Sequence, residues 1–204
     1  MEIPDKKEFL KGIEEFEKHE KRDAMYKVAT FLVSHFWGKP SDMTDGLGVL
    51  LLTWNQAFYR YGIFDFDKLE KCIINNFQKI ENFRNRDIFS FSRSDEDEIK
   101  YLFNEFLTAL QGYSGKMKKR NSPVAVAKTL HLLAPNFFPI WDAKIAKTYR
   151  CYYYNQNYAE KYVSFCLIIK TIANSVRSYT DRSDKSLIKL IDEYNYSKYT
   201  QGWI

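Results

Sequence analysis

The chain has few of the residues that define several protein classes. It contains only three cysteines, Cys72, Cys151 and Cys166, with no Cys-x-x-Cys spacing. An odd number of widely spaced cysteines argues against a disulfide framework and against a four-thiolate zinc or iron–sulfur site, and it favours a cytoplasmic location. Eight glycines and five prolines among 204 residues are also too few for a collagen-like or low-complexity chain.

Long apolar runs and cofactor motifs are missing as well. The longest apolar run, Leu47–Trp54, is broken by Gly48 and Thr53, and a membrane helix needs roughly 20 residues. The N-terminus is charged from Asp5 onward and has no apolar segment of a secretory signal. There is no glycine-rich phosphate loop and no paired-histidine metal motif. We therefore expect no membrane partner, no cofactor and no metal.

The chain is rich in aromatic side chains, at 17% of residues, and most of its apolar residues recur at helical spacing. No sustained alternation of apolar and polar residues predicts a sheet. The pattern predicts an all-α fold, a single unit over residues 1–204. The predicted helices cover 5–20, 22–37, 47–61, 65 or 67 to 80, 94–110, 122–135, 142–153, 158–177 and 184–195.

The net charge of +5 is unevenly distributed. Residues 1–112 hold 16 Lys and Arg against 20 Asp and Glu, whereas residues 113–204 hold 15 against 6. Between Lys116 and Arg150, eight cations accompany a single acid, Asp142. Such a window is typical of a protein that binds a polyanion such as nucleic acid, although a solvated lysine-rich surface has the same composition.

The run Lys116–Tyr154 carries the most specific pattern. It reads as a basic turn, a short helix, a link bounded by Pro135 and Pro139, a lone Asp142 and a basic helix. Residues before proline avoid the helical region, so we expect residues 136–141 to be extended and Asp142 to be the N-cap of the next helix. A cap is the most frequent use of such an aspartate. Its isolation among cations suggests a further role.

The run FPIWDAKIAKTYRCY resembles the segment after the hairpin in helix-hairpin-helix base-excision DNA glycosylases, especially the adenine-mismatch branch. That family has a Pro–hydrophobic link, the essential Asp, two residues, a branched apolar residue and a basic residue. Upstream, GLGVLLLTWNQAF is similar to the family's apolar helix ending in a glutamine that wedges into the duplex. The resemblance covers roughly residues 45–155.

The resemblance implies about eight to ten helices in two interlocked subdomains, residues 40–135 with a hairpin-like element at 113–134, and residues 1–39 with 136–204. It implies a monomer that flips a damaged base out of double-stranded DNA, with Asp142 as the catalytic carboxylate. Gln56, with Asn55, occupies the place of the wedge. The other expected DNA contacts are Lys116, Lys118, Lys119, Arg120, Ser122, Lys144 and Lys147. The candidates for the base pocket are Trp54, Trp141, Phe137 and Tyr149, although core packing is the more frequent role of such aromatic residues.

The chain also departs from the family. Its turn KKRNSPVAVAK lacks the hairpin glycines, and the C-terminal iron–sulfur loop is absent. Bifunctional members carry a Schiff-base lysine 18 residues before the Asp, where this chain has Val124. Lys128 lies one helical turn later, so a shortened helix would restore the lysine and permit lyase chemistry.

Two alternatives to a base-excision glycosylase with possible lyase activity remain open. One is a member of the same fold that binds DNA without catalysis. The other is a helical interaction module whose basic face meets an acidic partner. Fold resemblance alone does not decide among them.

Overall fold

A computed structural model describes residues 3–21, 23–59, 64–114, 118–152 and 157–204, without the side chains of residues 57, 113, 114, 118 and 119. In this part of the chain the fold is all-α, as predicted, with one short antiparallel ribbon. The helices are α1 (Lys6–His19), α2 (Ala24–His35), α3 (Pro40–Trp54), α4 (Gln56–Tyr59), α5 (Phe66–Arg84), α6 (Glu96–Ala109), α7 (Pro123–Leu133), α8 (Ala143–Thr148), α9 (Tyr158–Val176) and α10 (Leu187–Asn195). A π-helical turn, Tyr196–Gln201, follows α10.

Several helices begin with a side-chain cap, although the helix predicted over 47–61 begins at Pro40 and is interrupted at Asn55. Asp5, Asp65, Ser122 and Ser186 each accept a hydrogen bond from a backbone N–H in the first turn of the helix that follows. These bonds satisfy donors that have no partner within a helix. α6 was predicted to begin at Ser94, but it begins at Glu96, and a capping box formed by Ser92 and Asp95 precedes it.

The connection between α6 and α7 is not the tight turn expected from the resemblance. Strands β1 (Gly112–Ser114) and β2 (Lys118–Arg120) pair antiparallel across it. The ribbon pairs backbone N–H and C=O groups of this connection with one another. Lys116 lies outside the described residues. The side chains of Lys118 and Lys119 in β2 are not described either.

The proline-bounded link also differs from its prediction. Residues 136–138 turn back on α7, because the N–H groups of Phe137 and Phe138 both donate to the carbonyl of Ala134. Only the last part of the link is extended, ending at Asp142 with φ −111° and ψ 168°. The turn places Phe137 and Phe138 in the core.

One core joins the two ends of the chain. α1 packs against α10, α2 against α3, and α6 against α9, with fully buried side chains such as Phe9, Phe103 and Tyr194 between them. Across the described residues, no helix is both long and apolar enough to cross a membrane. The packing of α1 on α10 brings the turn Tyr196–Gln201 beside α8. Together these elements border a cavity.

Candidate functional site

Asp142 is the N-cap of α8, and both of its carboxylate oxygens are hydrogen bonded. Oδ1 accepts from the backbone N–H of Ile145 at 2.7 Å, and Oδ2 accepts from the hydroxyl of Thr200 at 2.8 Å. The predicted cap is therefore confirmed, and the C-terminal turn supplies a second bond. Held in this way, the half-buried carboxylate has a defined orientation at the wall of a cavity.

Lys128 reaches the same cavity from the middle of α7. Its ammonium donates to Asn55 Oδ1 at 2.7 Å and to the Trp54 carbonyl at 3.4 Å, and Nζ lies 5.2 Å from the Trp54 ring centroid. Burial lowers the pKa of this amine to about 8, against the opposing effect of Asp192 and Asp142. About a tenth of an amine with this pKa is neutral, and hence nucleophilic, at pH 7, far more than for a lysine at the ordinary pKa.

The predicted DNA contacts of Asn55 and Ser122 do not fit the structure. Both are buried, and Asn55 Nδ2 donates to Ser122 Oγ at 3.3 Å. Ser122 Oγ also accepts from the N–H of Ala125 at the start of α7. The two side chains tie the end of α3 to α7 and orient Lys128, and they have little surface left for a phosphate.

The cavity measures about 390 Å³ and combines aromatic and charged walls. Trp54, from the end of α3, provides an aromatic face whose ring is parallel to that of Tyr26 at a centroid distance of 6.0 Å. Tyr26 is fixed in turn by His131, whose Nε2 accepts from its hydroxyl at 2.9 Å and whose Nδ1 donates to the Phe138 carbonyl. Burial lowers the pKa of His131 to about 4, so this histidine is neutral and supports the wall. The remaining lining residues are Phe16, Glu20, Asp23, Ile140, Lys189, Asp192 and Tyr196.

A buried lysine with three carboxylates forms one end of the cavity. The side chain of Lys189 is 1% exposed, and its Nζ lies 3.3 Å from Asp23, 3.4 Å from Asp192 and 3.6 Å from Glu193. Burial opposes the charge of Lys189, but the three carboxylates together hold its pKa above the ordinary value. Burial, only partly offset by Lys189, raises the pKa of Asp192 to about 6.

Three of the four aromatic residues predicted to form a base pocket lie in the core instead. Trp141 packs between Phe103 and Phe165, and Phe137 packs on Phe83. Tyr149 is 7% exposed and donates its hydroxyl to Asn195. Their rings contact other core rings and leave no face for a base, so Trp54 is the member of the predicted set that lines the cavity.

No protein-family model, curated protein or solved structure matches this chain. The chemistry of the site therefore has to be argued from its own side chains. Within the described ranges, no group of three or more His, Cys, Asp or Glu side chains could hold a metal ion, and the cavity residues are suited to hydrogen bonding and to amine chemistry.

The exposed members of the predicted DNA-contact set lie on the surface. Lys144 and Lys147 are exposed on α8, Arg120 is exposed at the end of β2, and Gln56 is exposed at the start of α4. Lys144 donates to the Thr200 carbonyl, and the Lys147 amine lies 4.8 Å from the Tyr152 ring centroid. The exposed cations of α8 therefore lie on the helix whose first turn carries Asp142.

The sequence did not point to Asp23, Lys189, Asp192 or Thr200. Part of the signal was visible in LIKLIDEY, where Lys189 is flanked by Ile188, Leu190 and Ile191 and has acids three and four residues later. A lysine within an apolar helix segment needs buried partners. Asp23 and Thr200 carry no such signal, because only the packing of α1 and α10 brings them to the cavity.

Proposed function

We propose that the protein is a DNA base-excision enzyme in which Lys128 is the nucleophile and Asp142 the stabilising carboxylate. The observation that carries this proposal is that the two groups line one cavity, one as an amine with a pKa of about 8 and the other as a carboxylate held by Ile145 and Thr200. The resemblance of FPIWDAKIAKTYRCY to helix-hairpin-helix glycosylases supports the same assignment.

The chemistry begins with a base flipped into the cavity against Trp54. The neutral Lys128 amine attacks C1′ of the sugar, the C1′–N bond breaks with its electron pair going to the base, and the base takes up a proton. Asp142 stabilises the positive charge that develops on the sugar. The Lys128 nitrogen, now bonded to C1′, loses a proton. The ring then opens as the C1′–O4′ bond breaks, the nitrogen lone pair forms a protonated imine with C1′, and O4′ gains a proton.

Strand cleavage follows from that imine. Loss of a proton from C2′ allows the C3′–O bond to break by β-elimination, and the phosphate leaves with the bonding pair. Hydrolysis of the imine returns the Lys128 amine. Borohydride reduces the imine to a stable amine, so it links the protein covalently to DNA at this stage.

The test is borohydride trapping on duplex DNA that contains an abasic site or one of a panel of damaged bases. We expect the wild-type chain to form a covalent adduct and to nick the abasic strand, and we expect Lys128→Gln to lose both. Lys11→Gln is the matched control, because Lys11 is an exposed lysine of α1. Salt-dependent DNA binding without any adduct or excision would instead favour the non-catalytic DNA-binding alternative.

A further inference from the structure

Asp23 has a backbone geometry that its place before α2 does not require. It is the N-cap residue of α2, with φ 39° and ψ 42° in the left-handed region that residues other than glycine rarely adopt. Its side chain makes no capping hydrogen bond, although aspartate is among the best capping residues. Local backbone strain of this kind is concentrated at binding and catalytic sites.

The carboxylate of Asp23 is directed into the cavity instead. Its side chain is 9% exposed, and Oδ2 is buried without a hydrogen bond even though Lys189 Nζ lies 3.3 Å away. Buried carboxylate oxygens normally accept hydrogen bonds, because burial without them is costly. Asp23 nevertheless lines the cavity that Lys128 and Asp142 also line, so an N–H donor that enters there meets this residue.

Negative charge is in excess at this end of the cavity. Asp23, Asp192 and Glu193 share Lys189, and Glu193 also pairs with Lys185 at 2.9 Å. Of the three carboxylates around Lys189, those of Asp23 and Asp192 line the cavity, as do Glu20 and Asp142. A ligand that presents adjacent N–H groups there would complement both the charge and the hydrogen bonding.

We propose that Asp23 is a specificity-determining residue and that, beside Asp192, its carboxylate accepts hydrogen bonds from the N–H groups of a flipped guanine-type base. A carboxylate offers two oxygens that accept in parallel and no donor. The guanine edge presents a ring N–H next to an exocyclic amino group, whereas adenine and thymine edges place an acceptor against the carboxylate. This inference rests on the proposed base-excision function, because it assumes that the cavity receives a base.

The test compares two duplexes that differ only in the exocyclic amino group. Each carries one unpaired base opposite an abasic site, either guanine or hypoxanthine, so that the base flips without breaking a pair. We expect the full-length wild-type chain to bind the guanine duplex at least about tenfold more tightly, as a site built to hydrogen-bond a group rejects an analogue that lacks it. Equal affinities would overturn the assignment.

Asp23→Asn is the decisive variant, since asparagine keeps the shape and tolerates the left-handed backbone but replaces one acceptor by a donor. We expect the preference for guanine to fall to about twofold or less, outside the range of tenfold or more that wild type should show. Asp184→Asn is the matched control, because Asp184 belongs to the neighbouring ion-pair network and is 57% exposed. Should Asp23→Asn not fold, Asp192→Asn tests the same pair of acceptors. A preference that persists in the folded variant would overturn the assignment.

The outcomes separate this inference from the proposed function. Guanine selection through Asp23 without excision or a trapped adduct would leave the inference standing and reject the base-excision proposal. Excision and trapping with equal binding of guanine and hypoxanthine would reject the inference and leave the base-excision proposal standing. No binding of either duplex would overturn both.

Discussion

In the proposed function, Asp142 has a structural role and a chemical role. As the N-cap of α8 it satisfies the N–H of Ile145, and as a cavity-lining carboxylate it faces the space that Lys128 also lines. Its capping role alone is worth about 1 kcal/mol and would be met equally well by asparagine. Substitution by asparagine therefore separates the two roles.

We expect Asp142→Asn to abolish base removal while the melting temperature and DNA affinity change little. Asparagine can still accept from Ile145 N–H, and its amide can donate to the Thr200 hydroxyl, so the fold is kept. Losing a negative charge near phosphates should, if anything, tighten DNA binding. Single-turnover excision and thermal melting measure the two effects. Full activity in this variant would leave Asp142 as a cap only.

Lys128 supplies a prediction about pH. Because burial lowers its pKa to about 8, the fraction of neutral amine rises as the pH increases through 8. The rate of borohydride-trapped adduct formation on abasic DNA should therefore increase with pH up to about 8 and then level off. A lysine at the ordinary pKa of about 10.4 would keep rising to pH 10, and that profile would contradict a buried nucleophile.

At the scale of elements, the turn Tyr196–Gln201 fastens the end of the chain to α8. Thr200 uses its hydroxyl to donate to Asp142 and its carbonyl to accept from Lys144. The turn is itself positioned by α1, because Ser197 Oγ donates to the Gly12 carbonyl at 2.7 Å. A carboxylate oriented from two sides loses less freedom when the reaction begins.

We expect Thr200→Val to lower the excision rate by about tenfold, since a misplaced carboxylate stabilises the sugar cation less well. Thr200→Ser keeps the hydroxyl and should restore most of the rate. Thr148→Val is the matched control, because the Thr148 hydroxyl is exposed and bonds only the Lys144 carbonyl of its own helix. Steady-state kinetics should assign the loss to kcat with KM unchanged. Similar losses in the Thr148 and Thr200 variants would argue against a positioning role.

At the scale of the whole molecule, the basic second half of the chain and the cavity meet at α8. Lys144, Lys147 and Arg150 are exposed there, and α8 begins at Asp142. A polyanion that lies along these cations would pass the mouth of the cavity. Electrostatic attraction of this kind depends strongly on salt.

We expect the double variant Lys147→Gln, Arg150→Gln to reduce the slope of log affinity for duplex DNA against log salt by about 1.8, because each lost phosphate contact removes about 0.9. A matched double variant, Lys11→Gln with Lys71→Gln, removes two exposed cations from α1 and α5 and should leave the slope unchanged. Binding titrations at several salt concentrations measure it. Equal changes in both variants would indicate nonspecific attraction to net charge.

The sequence alone determined the all-α class, the approximate position of most helices and two of the groups at the cavity. Helical periodicity and caps such as Ser122 are local, so they can be read without knowing the fold. Asp142 was visible as a lone acid among cations, and Lys128 by its place one turn beyond the family's lysine. Local patterns did not distinguish a base pocket from the core: Phe137, Trp141 and Tyr149 were pocket candidates with core packing as their more frequent role, and they lie in the core.

Only the tertiary structure decided which side chains share the cavity. Asp23 comes from the connection between α1 and α2, Lys189 and Asp192 come from α10, and Thr200 comes from the turn after it. They meet because the apolar face of α1 packs on α10, bringing together residues more than 160 positions apart in sequence. The same burial lowers the pKa of Lys128, and desolvation depends on the whole surrounding fold.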